Sequence, residues 1–341
     1  MADSNSWGPP PKVAFIQPIV TGILIGAAFL LIFILALHKP TPHAVPVGVV
    51  ASPSVVKTLE ANKTLTGLDL RQVGSVAEAK QQIKNNDIFA AYVVQGSNDQ
   101  MLVSSAHGAV ATRTLIGMFT DVAATNGAQL PVQDVVPVSP QDPNGISLFY
   151  LIFGITLGAF LFGQGAYILA KRLSLRRKTG QTLLFSVLLG IVGALVARVW
   201  IQVLPGSVAA ETGVLILLAA AIAALTLAIT ALLGDPGVAV ATVVALILGT
   251  AVSGGPIPAN FIPPGFALFS AALPPGAATT ALRDIAYFNA GSVTGPLLVL
   301  AAWLVGSALV VVVVTNARRR RATQVTAPNP GIPAAVAATE R

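Results

Sequence analysis

Residues 16–37 read IQPIVTGILIGAAFLLIFILAL, and after the break His38-Lys39-Pro40-Thr41-Pro42 residues 43–51 read HAVPVGVVA. The two stretches belong to different solvents. The first is uncharged and longer than the roughly 20 apolar residues that cross a bilayer. It is too long for the apolar region of a secretory signal, and Lys12 is its one basic flank, so it reads as an uncleaved anchor. The second, Val45–Ala51, is a β-branched run of the kind that forms a buried strand. A membrane helix therefore leads directly into a folded domain.

The whole chain supports that division. Of its 341 residues 54% are hydrophobic and 10% charged, against about 25% charged in a typical soluble domain. Mean hydropathy is +0.78. Further spans are expected at Ile146–Leu169, Leu183–Leu204, Thr212–Leu233, Val238–Val252 and Pro296–Val314, which makes about six transmembrane helices. The basic residues Lys171, Arg172, Arg176, Arg177 and Lys178 fall in one short connection, and Arg318–Arg321 close the last span. Positive charge accumulates on the cytoplasmic side. Six crossings bring both clusters to one side, with both termini cytoplasmic in a cell membrane, and leave residues 43–145 outside the cytoplasm. Residues 1–15 are then a cytoplasmic segment, 146–316 a five-helix membrane domain, and 317–341 a disordered basic tail.

Between residues 43 and 145 charge returns and is nearly balanced. Strands are expected at Val45–Ala51, Leu68–Val73, Phe89–Val94, Met101–Ser104 and Leu130–Val138. Helices are expected after Ser52-Pro53, over Val76–Asn85 behind the capping box of Ser75 and Glu78, and over Val110–Asn126. The order β-α-β-α-β-β-α-β is a small α/β layer domain. A second irregular region, residues 253–295, is rich in Pro and Gly, too apolar for a free loop and too interrupted to cross. Two short helices, re-entrant or interfacial at about 261–290, fit it.

Few residues carry candidate chemistry. Arg198 lies inside the third span, where it is a functional candidate or snorkels to the surface beside Trp200. Glu211 is placed to pair with it. Gln164 in the second span is a path-lining group or helix–helix glue, and Arg283 and Asp284 anchor the short helices or are simply solvated at the headgroups. The basic connection at 171–178 docks a partner or anionic lipid, or is only the topology signal. Cysteine is absent, the histidines at 38, 43 and 107 do not make a ligand set, and no Ser/His/Asp spacing or Gly-rich phosphate cradle is present. No cofactor, metal or enzymatic activity is expected. Nucleic acid is a poor partner, because the cations flank apolar spans rather than line a soluble face.

The order of parts resembles a known family. Val45-Pro46-Val47-Gly48-Val49-Val50, the helix-then-strand unit of Glu78-Ala79-Lys80 and Asp87–Val94, and Asp142-Pro143-Asn144-Gly145-Ile146-Ser147-Leu148-Phe149 ahead of the second span are its counterparts in the domain. Ser253-Gly254-Gly255-Pro256, Pro263-Pro264-Gly265-Phe266 and Leu273-Pro274-Pro275-Gly276 with Ala281-Leu282-Arg283 precede the last span. Together, over most of residues 13–316, these resemble the type 2 ABC exporter permeases, in particular the branch of the phage infection protein family. The resemblance implies a permease-like subunit, a homodimer or heterodimer in membrane lipid, that exports a hydrophobic or amphipathic molecule. It also implies a separate ATPase subunit docked near 170–182, since this chain has no G-x-x-x-x-G-K-[ST]. One departure is that Pro9-Pro10-Pro11 interrupts the place of the amphipathic helix with which such permeases begin. The alternative is an ATP-independent envelope protein whose external domain binds a partner.

Overall fold

A computed structural model describes residues 11–96, 98–125, 127–170, 173–289 and 293–325. Helix α1 (Pro11–Leu37) is followed by β1 (Val45–Val50), α2 (Pro53–Glu60), β2 (Leu68–Gln72), α3 (Val76–Lys84), β3 (Ala90–Val93), β4 (Gln100–Val103), α4 (Ala109–Thr125) and β5 (Val132–Asp134). The bundle then runs through α5 (Ser147–Leu169), α6 (Leu175–Trp200), α7 (Val208–Leu233), α8 (Pro236–Ala251), α9 (Pro264–Ala272), α10 (Pro274–Tyr287) and α11 (Thr294–Val325). Among the described residues α1, α5, α6, α7 and α11 are long and apolar enough to cross a membrane, and the bent pair α9–α10 is a sixth such unit if counted as one span. The chain therefore has the apolar helices of a multi-pass membrane protein, with one small inserted sheet.

The sheet order is β2-β1-β3-β4-β5, with β4 antiparallel to β3 and the remaining pairs parallel. Alternation along the strands gives it two apolar faces. Val45, Val47, Val49, Tyr92 and Met101 pack on α2, α4 and, from the membrane part, Val252, Phe261, Ile262 and Leu273. Ala91, Val93 and Leu102 pack on Ala79 and Ile83 of α3 and on Phe288. Neither core is closed by the domain alone. The connection from α1 is also tied down, with Thr41 and His43 donating backbone bonds to Phe261 and Asn260.

Helix α7 is the central, most buried helix, and α5, α6 and α11 pack around it. Small residues allow close approach in membrane bundles. Here a Cβ on Gly190 of α6 would lie 2.8 Å from the Ile216 backbone nitrogen of α7, and one on Gly163 of α5 would lie 2.7 Å from Thr226 Cβ. The bundle has two distinct ends. Ser139 donates to Gln202 O at the end of α6, and Asp142 accepts from the Ser147 amide at the start of α5, where Gly255 also sits against Phe149, so the domain covers these termini. At the other end Tyr167 of α5 donates to Asp235 ahead of α8, and Arg318 of α11 donates to Ala231 O of α7. Helix α8 starts near Tyr167 and delivers the chain to Phe149, so it runs between the two ends. Its segments of 6, 7 and 3 residues rise only about 24 Å, and the middle one is a π-helix.

Several sequence expectations need correction. The third span begins at Leu175 rather than Leu183 and ends at Trp200 rather than Leu204. Ser174 accepts a bond from the Arg177 amide and caps the helix, so Arg176, Arg177 and Lys178 are its first turn and not a loop. The strand expected over Leu130–Val138 is only Val132–Asp134, since Pro131 and Pro137 cannot donate to a ladder. The last helix does not stop at the arginines but continues to Val325, as good helix formers permit. Pro11 and Lys12, expected to be irregular, open α1. Expectations for residues 1–10, Lys171, Arg172 and 326–341 lie outside the described residues.

Candidate functional site

The region where the domain meets the bundle is organised by α9 and α10, whose axes differ by 76°. The bend follows from Leu273-Pro274-Pro275-Gly276. A residue before proline is pushed to the extended region, and Leu273 has φ −93° and ψ 149°. Pro274 then opens α10, where its missing amide costs nothing. The turn is so tight that a Cβ on Gly276 would lie 1.8 Å from Ser270 O. Ala277, Ala278, Ala281 and Leu282 face into the bundle core. Trp303 of α11 donates its indole N–H to Ala272 O at 2.7 Å, which satisfies an orphan carbonyl at the end of α9.

The other face of α10 holds polar groups that knit three parts together. Arg283, half-buried, donates to Gly254 O at 2.9 Å. Asp284 is buried and accepts from the Asn86 side-chain amide at 2.8 Å. Asn86 follows the C-terminus of α3 with φ 65°, a left-handed position that asparagine tolerates. Tyr287 donates to Val203 O at 3.0 Å, and the Asn289 amide donates to Lys84 O at 2.8 Å. The α3 end of the domain is thus fastened to α10, and α10 to the connection between α6 and α7.

Arg198 and Glu211 meet at that connection. The sequence places Arg198 two turns inside the third span; in the structure it lies in a terminal π turn, Val196–Trp200. Its guanidinium donates to Leu204 O, and its Nε is 3.9 Å from Glu211 Oε2. Glu211 is 1% exposed, and although the Gly206 amide is beside it neither carboxylate oxygen completes a hydrogen bond among the described residues. A Cβ on Gly206 would be 2.6 Å from both Glu211 Oε1 and Ile285 O. The carboxylate is therefore boxed between its own helix start and α10. A buried charge held only by a loose pair costs several kcal/mol, which marks this position as one under strain rather than one that stabilises the fold.

His107 is a member of this junction that the sequence reading did not single out. It lies in the turn Ser105–His107 after β4 and is 3% exposed. Its ring stacks on Phe89 with centroids 3.9 Å apart and meets Phe288, the residue after α10, at 4.8 Å. Burial, helped by the nearby Arg283 charge, lowers its pKa to about 3 against the opposing effect of its bond with the Ile88 backbone. The ring stays neutral and works as an aromatic wedge. Tyr92 and Asp99 form a second buried polar pair, bonded to one another, with the Gln95 amide donating to Asp99 at 2.8 Å. Burial and then Asp99 push the Tyr92 hydroxyl up, so it remains a donor. This pair closes the β3–β4 hairpin.

Four of the singled-out residues, Arg198, Glu211, Arg283 and Asp284, thus fall in one region, as parts of a packed seam. Gln164 does not join them. It is half-buried in the half of α5 near Tyr167, about 25 Å along the helix from the domain. Arg176, Arg177 and Lys178 are at the far end. Among the described residues no three His, Cys, Asp or Glu side chains are grouped to hold a metal. No family model, curated protein or solved structure matches the chain.

Proposed function

We propose that the chain is a permease-like membrane subunit, of the type 2 exporter kind its sequence resembles, that moves a hydrophobic or amphipathic substrate outward. In this reading the inserted domain is outside the cytoplasm and the far end of the bundle, with Arg176, Arg177, Lys178 and Arg318, is inside, as the distribution of positive charge favours. The observation that carries the reading is the bent pair α9–α10. It lies at the domain end of the bundle with Ala272 O, at the end of its first helix, bonded to Trp303 and its polar face tied to both the domain and the α6–α7 connection. Such a piece is suited to a fixed outer cap over the bundle, and Glu211 beside it has carboxylate oxygens whose hydrogen bonds are incomplete among the described residues. The first turn of α6 is the docking place for a separate ATPase, with a second copy or a related chain completing the subunit pair.

An envelope interaction protein without transport is the second reading. The shared core between domain and bundle favours it to the extent that a rigidly presented surface suits a receptor. The two are separated by purifying the full chain from native membranes in mild detergent and identifying what accompanies it. A stoichiometric soluble protein with a phosphate-binding loop supports the exporter reading, and its loss on Arg176→Glu/Arg177→Glu places the contact. Recovery of the chain alone, under conditions that keep a known transporter intact, removes the ATP-coupled reading.

A further inference from the structure

At the bundle end away from the domain an open groove of about 630 Å³ runs between α6 and α11 with α7 as its floor, within the range of ligand sites. It extends from Ala220 to Ala231 on α7 and from Leu304 to Arg318 on α11. At about 1.5 Å per residue these stretches are roughly 16 and 21 Å long, close to the ~15 Å that one leaflet contributes to a ~30 Å hydrocarbon core. The floor of the groove on α7 is therefore about as long as one leaflet is thick. Its walls are mostly aliphatic, with Thr315 and Tyr167 among them, and the hydroxyls of Thr179 and Thr182 are turned to the carbonyls of Leu175 and Lys178.

Charge sits only at the mouth. Lys178 on α6 and Arg318 on α11 flank it from opposite sides. Arg318 is held in place by its 2.6 Å bond to Ala231 O at the end of α7. Asp235 is close by and accepts from Tyr167, so these groups leave one net positive charge. Arg176 and Arg177 are on the same helical turn as Lys178 but do not line the groove.

We propose that this groove binds one anionic phospholipid, with an acyl chain along α7 and its phosphate between Lys178 and Arg318. A basic pocket between membrane helices selects an anionic headgroup in this way, and the apolar length beneath it selects a chain of leaflet depth. The site is separate from the seam at the domain end and does not depend on the exporter reading.

The test uses the full-length protein, purified in mild detergent, exchanged with palmitoyl-oleoyl phosphatidylglycerol or with phosphatidylcholine of the same chains, and weighed by native mass spectrometry. Retention of one phosphatidylglycerol per chain is expected, at least about tenfold over phosphatidylcholine, equivalent to ~1.4 kcal/mol. Lys178→Gln/Arg318→Gln abolishes that preference, whereas Arg176→Gln/Arg177→Gln, which removes the same charge from outside the groove, preserves it. Ala308→Phe, from an exposed position on the α11 wall, expels both lipids without touching the cations. Equal loss from the two charge variants overturns the proposal in favour of general surface attraction. Unchanged retention in Ala308→Phe, or a crosslink that places a helix of a second copy in the groove, overturns it as well.

Discussion

The two ends of the helical bundle spend their polar groups differently. At the domain end Arg283, Asp284, Tyr287 and Arg198 are directed inward onto backbone carbonyls and partner side chains of other elements. Chain segments as distant as α3 and α10 are joined there. At the far end, among the described residues, the contacts of Tyr167 to Asp235 and Arg318 to Ala231 are exposed, and the space between α6 and α11 is left open. A buried polar contact is costly to lose and so enforces one arrangement, while an exposed one is replaced by water. The domain end is thus built to keep its geometry, and the far end to accommodate whatever lies against it.

The contrast breaks most readily at Gly276. Gly276→Val drives a side chain into Ser270 O, and backbone cannot move aside as a flexible side chain can. A loss of at least about 3 kcal/mol is expected, read as a lower melting temperature in detergent with protease cleavage near residues 270–276. Gly265→Ala, in α9 on the other side of the bend and with nothing within 4 Å, should change stability by less than about 0.5 kcal/mol. Equal effects would mean that the bend is not constrained as described.

The next largest effect concerns Arg198 and Glu211. Arg198→Leu leaves a buried carboxylate without its cation and should cost roughly 2–3 kcal/mol. Arg198→Leu/Glu211→Leu should recover most of that, because an apolar pair no longer needs compensation. Additive losses in the double variant would instead show that the two side chains act independently.

His107 sharpens the comparison through pH. Its folded pKa of about 3 lies below the unfolded value of about 6.5. Between those values the unfolded chain binds the proton and the folded one does not. The stability associated with the neutral ring is complete above about pH 6.5 and is lost as pH falls toward 3, by ~2 kcal/mol at pH 5. His107→Phe, which keeps the stack between Phe89 and Phe288, should flatten this part of the unfolding profile. An unchanged slope would place the titration elsewhere.

Much of this architecture was legible in the sequence because it rests on local signals. The Ser75–Glu78 pair does cap α3, with Ser75 accepting from the Glu78 amide and the Glu78 carboxylate reaching back to the Gly74 amide. The order of strands and helices in the domain follows its β-branched runs and proline breaks. The early start of α6 was missed because charges near a span suggest a loop, although Ser174 caps a helix and Arg and Lys propagate one. The π turn that carries Arg198 has no sequence mark. The seam was the least legible part. Asn86 and Asp284 are 198 positions apart, and nothing local in either stretch announces the other. In the sequence Arg283 and Asp284 show only as charges at the end of an apolar stretch, and an isolated histidine such as His107 gives no hint that two phenylalanines from distant segments meet it.

The smallest expected effect tests the comparison most directly, by removing one hydrogen bond from each end. Tyr167→Phe deletes the 3.0 Å bond to Asp235 at an exposed site, where water takes over the carboxylate, so a cost of about 0.5 kcal/mol or less is expected. Asn86→Ala deletes the 2.8 Å bond to Asp284, whose carboxylate is 7% exposed and has little water to replace it, so about 1–3 kcal/mol is expected. Measured side by side in the same detergent, a ratio of at least twofold supports a stiff domain end and an adaptable far end. Equal costs would mean that Asp284 is hydrated when α10 loosens from α3, and the seam would then be a joint that opens rather than a fixed tie.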